Sequence, residues 1–289
     1  MRSRSIGSRV TKISTRVILG VALLAVPATA VAATAIPGGK SDSATHSPHS
    51  SRAASGLDDP AKKEIAMKLV SSAENSSLNW KDQYKYIEDI GDGRGYTAGI
   101  IGFCSGTHDM LELVELYAKR KPDNILAKYL PALRKVDGSD SHEGLGNAYV
   151  KDWKTAAKDP DFQKAQNDER DRVYFNPAVK QGKADKIGVL GQFAYYDAIV
   201  MHGDGDEDTS FSSIRERALK KAKPPSQGGD EKKYLNAFMD ARVWAMQQEE
   251  AHSDTSRVDT AQRVFLKDGN LDLHTPLKWK VYGEDFHIG

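Results

Sequence analysis

One cysteine, Cys104, occurs in 289 residues, so no intramolecular disulfide can brace the fold. A chain of this size can manage without one, because disulfides matter most where the hydrophobic core is small. No phosphate loop is present: Gly91-Asp92-Gly93-Arg94-Gly95 lacks the Gly-Lys-Ser/Thr ending and the dinucleotide spacing. Asp89-x-x-Asp92-Gly93 lacks the alternating acids and final Glu of a calcium loop. The eight histidines show no metal-ligand spacing, so no metal and no cofactor are expected. Gly102-Phe103-Cys104-Ser105-Gly106 is not a nucleophile elbow, and Cys104 in that apolar run reads as core. Gly228-Gly229-Asp230-Glu231 reads as a helix start.

Excess charge is also missing. The formal total is +1, from 41 basic and 40 acidic residues. Five of the basic residues and none of the acids lie in residues 1–35, so the rest carries about −4. That balance excludes the basic footprint of a nucleic-acid binder.

The N-terminal region reads as processing rather than fold. Arg2, Arg4, Arg9, Lys12 and Arg16 precede a ten-residue apolar run, residues 17–26, too short to span a bilayer. Ala28-Thr29-Ala30 and Val31-Ala32-Ala33 follow as small residues. This is the pattern of a secretory signal peptide over residues 1–35, and without a twin arginine it favours the general export route. Residues 36–56 are rich in Ser, with Pro37, Gly38, Gly39 and two His, and read as a disordered linker or propeptide. The expected folded domain is 57–289, in an extracellular protein without membrane contact after cleavage.

Within that domain the periodicity is mostly helical. Asp59 then Pro60 caps a helix over residues 59–75. Residues 84–90 alternate as a strand, 91–95 form a turn, and 96–103 return as a strand or open a helix. Thr107 is expected to cap a helix bearing Met110, Leu113, Val114 and Tyr117. Residues 124–136 and 161–172 read as helices, and 137–160 as loop. The most apolar helix, 184–201, carries Asp197. A helix from Asp230 to about 251 puts Arg242 on its apolar stripe. Buried charges are costly unless they meet, so Asp197 is expected to pair with Arg242 and with Arg257. Residues 264–289 hold Gly and Pro turns packed back on the core. Trp80, Trp153 and Trp279 read as core anchors, and Trp244 as surface.

Two carboxylates stand out. Glu74 ends the first helix, where the macrodipole disfavours negative charge and suits a general acid. Asp92 sits in the glycine-dense turn beside Arg94, whose charge favours the ionised form. A protonated acid facing an ionised carboxylate is what glycoside hydrolysis requires.

Longer strings then carry a resemblance. Ser71-Ser72-Ala73-Glu74-Asn75, Tyr86-Ile87-Glu88-Asp89-Ile90-Gly91-Asp92-Gly93-Arg94-Gly95-Tyr96-Thr97 and Gln192-Phe193-Ala194-Tyr195-Tyr196-Asp197 resemble the secreted bacterial chitosanases of glycoside hydrolase family 46. Thr255-Ser256-Arg257-Val258-Asp259-Thr260 continues the likeness, which covers essentially all of 57–289. The resemblance implies a mainly α, two-lobed, lysozyme-like fold with a small β-sheet at the cleft. It implies endo-hydrolysis of β-1,4-linked glucosamine polymers with inversion. Glu74 matches the general acid, Asp92 the general base, and Thr97 the hydroxyl that helps hold the attacking water. Arg94, Asp109, His202 and Glu249 match substrate contacts, and Asp197, Arg242 and Arg257 a charged network joining the two carboxyls. Ser253 departs from the family at an acidic position. The expected partner is chitosan, bound by a monomer. The residues alone leave open a muramidase or chitinase acting on N-acetylated glycan, and a non-catalytic glycan binder.

Overall fold

The computed structural model describes residues 56–248 and 253–289. Asp59 starts α1 (Pro60–Asn75): its carboxylate accepts from the backbone N–H groups of Ala61 and Lys62, and Pro60 supplies a pre-set φ. Ser76, in the left-handed region at φ 47°, closes the helix. Ala66, Met67, Leu69, Val70 and Ala73 form its buried face. The helix runs as the sequence predicts and leaves Glu74 in its last turn.

A three-stranded antiparallel sheet follows, in the order β1 (Ile87–Asp89), β2 (Tyr96–Ala98), β3 (Phe103–Cys104). The strand predicted over 84–90 is shorter, because Trp80–Lys85 coils as a 3₁₀ turn. Ile87 pairs with Ala98 and Thr97 with Cys104, so residues 90–95 form the turn at one end of the sheet.

Helices α2 (Asp109–Arg120), α3 (Leu130–Val136), α4 (Asn147–Ala156) and α5 (Pro160–Arg170) pack against this sheet. Thr107 does not cap α2. Its hydroxyl donates to the Asp109 carboxylate, which also takes the Met110 N–H, so Asp109 supplies the acceptor itself. Helix α4 lies where a loop is expected; Tyr149, Trp153 and Ala156 recur at helical spacing on its buried face.

At Asp171–Phe175 the chain makes one wide π-turn and enters the second group of helices. These are α6 (Asn176–Ala184), α7 (Val189–His202), α8 (Phe211–Leu219), α9 (Glu231–Gln247) and α10 (Arg263–Lys267). The helix expected over 184–201 starts later, at Val189: Ala184 ends α6, and Lys186, at φ 59°, lies in the connection between the two. Nearly every residue of α7 is buried, as its composition predicts. A hairpin, β4 (Leu277–Val281) with β5 (Glu284–Ile288), ends the chain where turns alone are expected. Leu277, Trp279 and Val281 alternate inward and pack it on the core.

Two hydrophobic cores result. One joins α1, α6 to α10 and the hairpin; the other joins the sheet with α2 to α5. Ile101 packs against both. Trp153 and Trp279 are core residues as expected. Trp80 is not fully interior: it is half-buried, its indole donates to Glu64, and Arg170 lies over its ring. Trp244 is half-buried under the Arg217 guanidinium, 3.4 Å from the ring centre. Among the described residues, no helix is long and apolar enough to cross a membrane.

Candidate active site

Glu74 reaches the surface from the first lobe, and Asp92 from the second. Arg257 meets Glu74: its Nη1 donates to Glu74 Oε1 at 2.8 Å. The same guanidinium donates through Nη2 to Asp197 Oδ1 at 2.6 Å, and through Nε to Oδ2 at 3.3 Å. Arg242, completely buried, donates from Nη1 to Asp197 Oδ2 at 2.6 Å and from Nη2 to the Asp197 carbonyl at 3.2 Å. The predicted pairing of Asp197 with both arginines is present. Burial opposes charge on Asp197, but the two guanidiniums win and bring its pKa down to about 2.

Sequence reasoning missed one member of this network. Gln262 Nε2 donates to Asp197 Oδ2 at 2.7 Å. A second π-turn, Val258–Gln262, presents Gln262 inward from the segment that begins with Arg257. The available signal was a polar residue on the stripe shared by Val258, Ala261 and Phe265.

Asp92 is held inside its own turn. The Arg94 backbone N–H donates to Asp92 Oδ1 at 3.1 Å, and Arg94 Nε donates to Oδ2 at 2.9 Å. Gly91, Gly93 and Gly95 all take positive φ, which lets five residues reverse the chain tightly. The turn is tied down by bonds from Gly106 N to Arg94 O and from Tyr96 N to Ser105 Oγ.

Thr97 is buried on β2, with its hydroxyl 3.4 Å from Cys104 Sγ. Cys104 is core, and burial pushes its thiol pKa up, away from nucleophilic chemistry. Asp109 stands at the start of α2. Its Oδ1 accepts from Cys104 N, Thr107 Oγ1 and Met110 N. Its other oxygen takes no hydrogen bond among the described residues. Burial raises the Asp109 pKa to about 6 against those bonds. His202 lies buried in the last turn of α7. Glu249 falls outside the described residues. Among the described residues, no group of His, Cys, Asp and Glu could hold a metal ion.

Beside Glu74 a small cavity of about 40 Å³ opens where the lobes meet. Met67 and Val70 of α1, Tyr196 of α7, Trp80, Arg170 and the β2–β3 connection from Gly99 to Gly102 line it. Thus the helix carrying Glu74 and the sheet carrying Asp92 share one junction.

A helical fold with two cores, a small sheet and a carboxylate on each side is that of the lysozyme-like glycoside hydrolases. The model of glycosyl hydrolase family 46 matches residues 68–277, and the chain belongs to that family. It is 67% identical over 273 residues to a chitosanase of Streptomyces sp. (strain N174), covering 94% of this chain and 96% of that protein. It is 71% identical over 236 residues to a chitosanase of Nocardioides sp. (strain N106), covering 82% and 84%. A co-crystal structure of chitosanase OU01 with substrate superposes with a TM-score of 0.78 at 57% identity, covering 82% of this chain and all of that one.

Proposed function

We propose that this glycoside hydrolase cleaves β-1,4 bonds inside chitosan, with inversion at the anomeric carbon. The observation that carries the reading is the placement of Glu74 and Asp92 on different lobes, each with its own arginine. The named chitosanases that the chain resembles support the substrate.

In this mechanism Glu74 donates its proton to the leaving oxygen. Negative charge then develops on Glu74 against Arg257, so the network stabilises the carboxylate as it forms. Asp92 takes a proton from the water whose oxygen bonds to the anomeric carbon as the glycosidic bond breaks, with Arg94 supplying its counter-charge. An inverting pair needs room for that water, roughly 6.5–9.5 Å between carboxyls. Thr97 orients the water. Arg94, Asp109, His202 and Glu249 contact substrate, and the open oxygen of Asp109 is suited to a glucosamine ammonium. Residues 1–35 act as an export signal and 36–56 as a linker before a monomeric extracellular domain.

Initial rates of reducing-end release from chitosan, chitin and bacterial cell wall test the substrate. Chitosan is expected to be fastest by far; equal or higher rates on an N-acetylated polymer would overturn the proposal. Glu74→Gln should abolish cleavage with the fold intact, and Asp92→Asn should cost nearly as much. The anomer released, read by NMR, must be the inverted one. N-terminal mass analysis of the exported protein tests the leader.

A further inference from the structure

The hairpin β4–β5 turns through two residues, Tyr282 and Gly283, at φ 51° and 80°. Two-residue hairpin turns with positive φ at both positions favour Asn-Gly or Asp-Gly. A large L side chain in the left-handed region is strained, and such strain persists where a side chain has other work.

The Tyr282 side chain is only partly buried. The residue is 46% exposed; the other exposed large hydrophobic residue among the described residues, Ile125, is 36% exposed. Its hydroxyl takes part in no hydrogen bond among them. The turn is nevertheless fixed in place: Tyr282 N–H donates to Ser256 Oγ at 2.9 Å, and Thr260 Oγ1 donates to Lys280 O at 2.5 Å. The residue after Ser256 is Arg257, the partner of Glu74. Burial pushes the phenol pKa up, with Arg257 opposing that shift and Glu74 and Asp254 adding to it. The hairpin thus holds a partly exposed aromatic ring, at a cost in backbone strain, beside the proposed acid.

We propose that Tyr282 is a sugar-contacting residue for the glucosamine unit bound beside Glu74. Its ring packs on the C–H face of the pyranose, and its hydroxyl takes a hydrogen bond from the sugar or gives one to it. The inference rests on the glycoside-hydrolase reading of Glu74.

The test uses the β-1,4-linked glucosamine hexamer, with binding measured calorimetrically in the Glu74→Gln background. Tyr282→Asn installs the residue the turn prefers, so it should raise the melting temperature while weakening hexamer binding roughly tenfold. Tyr282→Trp should recover most of that loss, because it restores a ring. Unchanged hexamer affinity in Tyr282→Asn would overturn the assignment. So would a loss of binding matched by a fall in melting temperature that Trp does not repair. A failure of the catalytic reading is seen separately, as wild-type protein that binds the hexamer without cleaving it.

Discussion

Arg257 donates to Glu74 at 2.8 Å across 183 positions of sequence, from the residue before the second π-turn to the end of the first helix. Two further bonds hold that guanidinium on Asp197, so its position is set before any substrate arrives. The pairing makes the charge on Glu74 a property of the whole network. Arg257→Gln should lower kcat roughly a hundredfold while changing KM little, because the lost interaction grows as the proton leaves. Steady-state kinetics on chitosan checks this. Combined with Glu74→Gln, the arginine change should cost almost nothing more, since both act through one group.

Asp197 gives the fold a specific acid weakness. Its native pKa is about 2, below the ordinary 3.8, held there by Arg242 and Arg257 against the cost of burial. A depressed carboxylate contributes stability above the unfolded pKa and loses it as pH falls through the folded one. The contribution, roughly 2 kcal/mol, should therefore be complete above about pH 4 and vanish near pH 2. Asp197→Asn should remove this slope and destabilise the protein by roughly 3–5 kcal/mol at neutral pH, because Arg242 is left buried without an anionic partner and Arg257 keeps Glu74 alone. Urea unfolding between pH 2 and 7, on the order of six points, would show both effects.

What could be read from sequence follows from what each residue needs. Asp197 and Arg242 lie on apolar stripes, and a buried charge demands an opposite one, so their meeting was legible. Pro60 after Asp59 fixed the first helix start by local chemistry. Helix α4 was hidden because Gly138, Gly144 and Gly146 precede it and its exposed face is polar, so the inward spacing of Tyr149, Trp153 and Ala156 was masked. The terminal hairpin was missed because its turn is Tyr-Gly, not the Asn-Gly that signals one. The π-turns themselves left no signal, whereas Gln262 stood out as a polar residue on the stripe of Val258, Ala261 and Phe265. How the two lobes meet depends on residues distant in the chain, such as Ile101 touching both cores.

Asp109 should trade stability for binding. Burial raises its pKa to about 6 from 3.8. A raised carboxyl contributes stability that is complete below the unfolded pKa and is lost as pH rises through the folded value. Asp109→Asn should therefore be more stable than wild type above pH 6, as thermal unfolding would show. Binding runs the other way. An ammonium on the substrate needs the ionised carboxylate, so the wild-type KM for chitosan oligosaccharides should fall as pH rises through about 6. The Asn variant should hold a KM roughly tenfold or more higher, without that inflection. A variant with an unchanged pH profile would remove Asp109 from substrate contact.

The turn that carries Asp92 offers a comparison between two glycines with the same backbone demand and different surroundings. Gly93 and Gly95 have φ 81° and 70°, so an added Cβ strains both by roughly 1–2 kcal/mol. At Gly93 nothing lies within 4 Å of that Cβ, and strain is the whole cost. At Gly95 the Cβ would lie 2.3 Å from Ser105 Oγ. That hydroxyl accepts the Tyr96 N–H at 2.9 Å at the start of β2, so relieving the clash breaks the bond that seats the turn on the sheet. Gly93→Ala should lose little activity once allowance is made for folding. Gly95→Ala should lose at least about tenfold in kcat, because small displacements of a reacting group are costly. Its melting temperature should fall further than that of Gly93→Ala. Equal activity in the two variants would mean that the bond between Ser105 and Tyr96 does not set the position of Asp92.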